Sequence, residues 1–152
     1  MQSTLRKQEY KGFLIVLIMI HHDVISLSTS RATQFIDVTA DVDRVVQDSG
    51  IRNGIVTVYT RHTTTGVFIN EGERGLLRDY KRLIELIPEG AGYEHDRIDR
   101  NAHAHLRAVL LGGGVSVPVV RGQMGLGTWQ RIFFAELDGP RQRKVAVQVM
   151  GE

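Results

Sequence analysis

Apolar and polar positions change period several times along the chain, and each change marks an element. Gly54 to His62 is β-branched and aromatic at both alternations, the pattern of a central strand. Thr65 to Asn70 continues as a second strand. After Glu73 the spacing becomes three and four: Leu76, Leu77, Tyr80, Leu83, Ile84 and Ile87 fall on one face of a helix. Arg74, Arg78, Asp79, Arg82 and Glu85 fill its other face, and Pro88 and Gly90 end it. Upstream, Val24 to Leu27 and Gln34 to Thr39 read as short strands. Val42, Val45 and Val46 define a helix over Val42 to Ser49, capped by Asp41 or Thr39 and closed by Gly50.

Downstream, Ala91 to Arg100 is polar and reads as a loop. Asn101 caps a helix over Ala102 to Leu111, which Gly112, Gly113 and Gly114 end. Val115 to Val120 is a strand whose Pro118 suits an edge or a bulge. Gln123 to Leu126 and Gln130 to Leu137 are further strands. The turn Asp138-Gly139-Pro140 leads into Lys144 to Met150, where Val145, Val147 and Val149 alternate. Six to eight short strands and three helices, not regularly interleaved, exclude a doubly wound parallel sheet. The expectation is an α+β fold: a mostly antiparallel β-sandwich with about three flanking helices, forming a single domain over 21–152.

Composition narrows the chemistry. The chain has 152 residues, 42 % of them hydrophobic, enough for a buried core. Its 19 basic and 17 acidic residues are dispersed, giving a net charge of +2 and no basic block of the kind that binds nucleic acid. The absence of cysteine excludes disulfides, thiolate metal sites and a Cys nucleophile. Arg6, Lys7 and Lys11 precede the apolar run Phe13 to Ile20, which is far shorter than the roughly 20 residues that span a bilayer. No small-residue cleavage pattern follows it. Residues 1–20 are therefore read as an N-terminal extension, and the protein as cytoplasmic with no membrane partner.

Histidine is the residue to watch. Three of the six, His95, His103 and His105, fall within Tyr93 to Leu111, among Asp96, Asp99 and Asn101. Imidazoles ligate metals and move protons near neutral pH. In a helix His103 and His105 point about 200° apart, so one at most serves a shared site. His62 ends a rigid strand before Thr63, Thr64 and Thr65, a position where sites are often built. The structural alternative is a half-buried imidazole bonded to a neighbouring carbonyl. Asn70 and Glu71 lead into a helix, where a cap and a first-turn carboxylate favour the dipole. Trp129, the single tryptophan, is either core or a stacking platform. Arg141 and Arg143 follow a glycine turn, a setting that suits an anion.

Five segments go further: HTTTGVFINE (62–71), YEHD (93–96), NAHAHLRAVLLG (101–112), LGTWQ (126–130) and ELDGPRQRKV (136–145). In this order and spacing they resemble the YjbQ-like family from about His21 to Glu152. The resemblance implies a compact β-rich sandwich and a homotrimer with polar clefts near the subunit contacts. It also implies a secondary thiamine-phosphate synthase activity, in which hydroxymethylpyrimidine diphosphate condenses with thiazole phosphate and releases pyrophosphate. Carried over by motif, the site positions are His62, Thr63, Asn70, Glu71, His95, His105, Thr128, Trp129 and Gln130, with His103 the weaker of its pair. On this expectation His62, His95 and His105 hold a divalent metal, Zn2+ or Mg2+. Glu71 is a general base or a further ligand. His62 and His105 act with it, and Thr63, Asn70, Thr128, Trp129, Gln130 and Arg141 bind a small phosphorylated molecule. Three imidazoles suit Zn2+, Ni2+ or Fe2+ better than Mg2+, which prefers oxygen. The alternative expectation is a trimeric small-anion or metal-binding protein without turnover.

Overall fold

A computed structural model describes residues 17–152. Arg6, Lys7, Lys11 and the first half of the apolar run, 13–16, lie outside the described residues. The elements are β1 (Met19–Ser28), β2 (Gln34–Asp37), α1 (Thr39–Ser49), β3 (Gly54–Thr60), β4 (Thr65–Glu71), α2 (Arg74–Ile84), α3 (Ala102–Leu111), β5 (Gly114–Val120), β6 (Gln123–Met124), β7 (Gln130–Glu136) and β8 (Gln142–Gly151), with a 3-10 turn at Glu94–Arg97. Five strands form one sheet in the order β1-β8-β3-β5-β6, and three form another in the order β2-β7-β4. Every pairing is antiparallel. The fold is α+β, as the mixed periods imply.

Valines from both sheets and from α1 fill the space between them: Val42, Val45 and Val46 meet Val56, Val58, Val145, Val147 and Phe134. A second cluster joins Ala104 and Ala108 of α3 to Ala135 and Leu137 beside Ile84. Small alanines let α3 lie close to the three-stranded sheet. At Gly66 the approach is closer still, since a Cβ there would sit 2.8 Å from Leu111 Cβ.

Three boundaries differ from the expectation, each for a visible reason. β1 begins at Met19, which pairs with Gly151, so residues 19 and 20 belong to the sheet and not to an extension. α1 begins at Thr39 because Asp37, at the end of β2, accepts the Thr39 N–H at 2.9 Å. Neither Asp41 nor Thr39 caps it; the Thr39 hydroxyl accepts the N–H of Ile132 instead. Pro118 sits in a strand with only the two-residue β6 on its far side, and its carbonyl accepts the Gly125 N–H.

Candidate functional site

The β3–β4 loop places His62 against the end of the β3–β8 ladder. Thr60 is the last β3 residue paired with β8, opposite Val145. One position further, the His62 side chain takes over from backbone: its Nε2 accepts the Lys144 N–H at 3.1 Å. That bond places the neutral ring's proton on Nδ1. Burial, and then the Arg143 guanidinium, pull the His62 pKa below its ordinary value. His62 is thus a neutral strand-end acceptor, and its Nε2 is already used.

Directly beneath lies a buried ion pair. Glu136 is fully buried and Arg143 is 7 % exposed. Arg143 Nε and Nη2 donate to the two Glu136 oxygens at 2.8 and 2.7 Å, and Nη2 also donates to Thr64 Oγ1 at 2.9 Å. The Leu137 and Asp138 N–H groups donate to Glu136 Oε1, and the Thr29 hydroxyl lies 2.9 Å from Oε2. Burial pushes the carboxyl pKa up, but these donors outweigh it and the net shift is downward. Thr64, not the exposed Thr63, is the member of the threonine run that meets the ion pair, while Thr65 bonds to Thr60 and to the His62 carbonyl.

The same network reaches α3. Asp138 Oδ2 accepts from Asn101 Nδ2 at 3.0 Å and from Arg141 Nη2 at 2.9 Å. Asn101 precedes α3 but does not cap it with its side chain. Asp96, from the 3-10 turn, accepts the Ala102 N–H at 3.1 Å in its place. This folds the turn back onto α3 and brings His95 to His105, their rings edge to face with centroids 4.9 Å apart. Asn101 and His105, four residues apart, lie on one face of the helix. The two polar stretches are therefore joined by one hydrogen-bonded path, Thr64–Arg143–Glu136–Asp138–Asn101.

The expected three-histidine ion site is not formed within one chain. His95 and His105 meet, but His62 is bound to β8, and His103 stands off the shared face with a buried Nδ1 that has no partner. Among the described residues no group of three or more His, Asp or Glu side chains is placed to hold an ion. The donor set of a single chain does not fit the expected Zn2+ or Mg2+.

Glu71 and the LGTWQ segment lie elsewhere. On β4, Thr65 pairs with Glu136 at the histidine end, whereas Glu71 pairs with Gln130 at the other. At about 3.4 Å per residue the two ends are about 20 Å apart. Glu71 therefore cannot serve as base or ligand beside His62 of its own chain. Asn70 Oδ1 accepts the Glu71 N–H, and Gln130 Oε1 accepts the Gly127 N–H at 2.8 Å, so both amides hold local structure. The carboxylate that caps α2 is Glu73, bound to the Gly75 and Leu76 N–H groups. Thr128 and Trp129, with Glu71, line a cavity of about 370 Å3 at this end. Of the residues sequence reasoning missed, Asp96, Asp138 and Glu136 matter most. Arg143 carried a readable signal, since period-two alternation puts it on the inward face with Val145, Val147 and Val149.

Fold and site together define a small α+β protein with an antiparallel two-sheet core and one polar rim built by α3 and the β7–β8 corner. Comparison with known sequences and structures gives the family. The profile described as UPF0047 protein YjbQ-like matches residues 23–152. A UPF0047 protein of Methanothermobacter thermautotrophicus is 51 % identical over 138 residues, 90 % of this chain and 96 % of that one. Another, from Archaeoglobus fulgidus, is 54 % identical over 127 residues, covering 83 % and 98 %. A crystal structure of a YbjQ-like protein of unknown function from Sulfolobus solfataricus P2 superposes with a TM-score of 0.88 at 40 % identity, over 90 % of this chain and 100 % of that one. A hypothetical protein from Aeropyrum pernix K1 gives a TM-score of 0.84 at 41 % identity, over 86 % and 98 %. The chain belongs to the YjbQ-like UPF0047 family.

Proposed function

We propose that the rim formed by His95, His105, Asn101 and Arg141 binds a small phosphorylated molecule, and that the protein is a transferase of the thiamine-phosphate synthase type. The observation that carries this reading is the hydrogen-bonded path that fixes Arg141 beside the start of α3. Asp138 holds the guanidinium from one side, and 54 % of the Arg141 side chain stays exposed. A fixed, half-exposed guanidinium, joined through Asp138 and Asn101 to the start of the helix that carries His105, is a donor set for phosphate oxygens.

In the condensation, the C–O bond between the pyrimidine methylene and the diphosphate breaks, and its electron pair leaves with pyrophosphate. The thiazole nitrogen forms the new C–N bond. Charge develops on the leaving oxygen, so preorganised donors there lower the barrier. Arg141 and the imidazole N–H groups fill that role, with Asn101, Asp138 and Glu136 holding them in place. No step is assigned to Glu71, Thr128, Trp129 or Gln130, nor to Thr63 or Asn70.

The family resemblance supports a cytoplasmic homotrimer. Exposed Ile20, Ile55 and Met150 share one row on the outer face of the five-stranded sheet, and exposed Val24 and Tyr59 share another, two rows on beyond His22, Gln148 and Thr57, which supports self-association there. Sedimentation should give three chains of 17.1 kDa per particle. A metal held by His95 and His105 would take its remaining ligands from a second copy. The test of function is pyrophosphate release from the two substrates. His105→Ala and Arg141→Ala should each lose most of the activity, while Thr63→Ala keeps it. Full activity in the first two would remove the assignment. A trimeric protein that binds a small anion or a metal without turnover is the second reading. Saturable pyrophosphate binding with no product would establish it.

Among the described residues no helix is long and apolar enough to cross a membrane.

A further inference from the structure

We propose that the cavity beside Trp129 is a second ligand site, separate from the histidine rim, that takes an organic cation with an alkylammonium or guanidinium head. It holds about 370 Å3 and is walled by Trp129, Thr128, Glu71, Glu73, Asp37 and Arg131. Its most informative wall is the indole. Trp129 is the single tryptophan of the chain and is 71 % exposed. It is not on a loose loop. Gln130 N donates to the Gly127 carbonyl at 3.0 Å, and Gly127 N donates to Gln130 Oε1 at 2.8 Å, so the turn is pinned from both sides. A large ring held out by a pinned turn, over a cavity, is a binding surface in search of a ligand.

The charges select the ligand's sign. Three carboxylates face one guanidinium in a chain whose net charge is +2. The guanidinium, Arg131, lies 3.8 Å from Asp37, which neutralises it locally. Glu73 is committed to the N–H groups of α2. Glu71 is the carboxylate left over: its backbone N–H is held by Asn70 and its backbone carbonyl by the Tyr80 hydroxyl, and among the described residues its side chain has no hydrogen-bonded partner. A free carboxylate beside an exposed indole face matches a cation that is apolar on its flanks, because the ring attracts the charge and covers the methyl or methylene groups. A phosphate or carboxylate ligand would meet repulsion here. Glu71 stands at the opposite end of β4 from Thr65, about 20 Å away, and the cavity is lined by none of the rim residues, so the site does not depend on what that rim binds.

The sole tryptophan makes the test direct, since a 15N-labelled protein shows one indole N–H resonance. The full chain is titrated with choline, with methylguanidinium, and with the neutral choline isostere 3,3-dimethylbutan-1-ol. The expected result is a saturable shift of the indole resonance with one or both cations and none with the alcohol. Glu71→Gln, with an unchanged circular dichroism spectrum, should weaken the binding about tenfold. An equal response to the neutral isostere would overturn the proposal, because the site would then be an apolar patch. So would the absence of any saturable shift, unchanged affinity in Glu71→Gln, or tryptophan emission showing the ring covered in the assembled protein.

Discussion

Replacing Glu136 by Gln keeps the shape of the buried carboxylate and removes its charge. In the native protein that carboxylate accepts from two Arg143 nitrogens and from the N–H groups of Leu137 and Asp138, with the Thr29 hydroxyl also in contact. Glutamine retains one acceptor oxygen and turns the other into an amide facing donors. Arg143, 7 % exposed, is left with an uncompensated charge. Breaking a buried pair on one side costs about 3–5 kcal/mol. Against a total stability of about 5–15 kcal/mol, Glu136→Gln should stay folded but unfold at clearly lower urea concentration, with an unchanged m-value. The double variant Glu136→Leu, Arg143→Met removes both charges. Leu137 N–H keeps its bond to the Thr64 carbonyl, and Asp138 N–H is stranded, at about 1–3 kcal/mol. The double variant should therefore be more stable than Glu136→Gln alone. A cost below about 1 kcal/mol for Glu136→Gln, the scale of exposed pairs, would refute the reasoning, as would a double variant no more stable than Glu136→Gln. The pH dependence has a fixed sign. The Glu136 pKa is lowered in the folded state, so its stabilisation is fully present above the ordinary value of 4.5 and is lost as pH falls through the lower folded value.

His62 gives the opposite kind of titration. Its folded pKa lies below the ordinary 6.5, so the unfolded chain takes the proton first and stability declines as pH drops below 6.5; in His62→Gln that part of the Tm–pH curve should flatten, and an unchanged curve would contradict the burial of His62 beside the Arg143 guanidinium. Gly66→Ala places a methyl group 2.8 Å from Leu111 Cβ and should cost about 1–3 kcal/mol by urea titration. Asp96→Ala removes the acceptor at the start of α3, worth about 0.5–2 kcal/mol, and should also weaken pyrophosphate binding by releasing His95.

The bounds of an element were more legible than the contacts that hold it. α3 runs over the expected Ala102 to Leu111, yet its first N–H is held by Asp96 of the preceding turn and not by Asn101. α1 begins at Thr39 and not at Val42, because Asp37 accepts the Thr39 N–H and neither expected cap, Asp41 or Thr39, acts as one. The polar stretches at 62–71 and 93–111 do converge, yet the convergence runs through Glu136 and Asp138. These read as ordinary surface carboxylates in ELDGPRQR until β7 and β8 are folded across the corner. Arg143 was read with Arg141 as suiting an anion, but it is buried and bound to Glu136, and its alternation with three valines was the signal that could have shown this. His62 shows the limit of motif reasoning: its position was found, and its role followed only from the register that sets Lys144 N–H opposite its ring. Glu71 shows the same limit. Motif order places it beside the histidines, and strand length separates them.

The central claim, that the α3 rim and not the Glu71–Trp129 end receives the phosphorylated molecule, is tested most directly by pyrophosphate titration of 15N-labelled protein. Saturable shifts are predicted at the His95 and His105 rings, the Asn101 side-chain amide and Arg141 Nε. His62 should hold its Nδ1–H form, and the Trp129 indole should not move. Shifts confined to Trp129 and its neighbours, or none at the rim, would contradict the account.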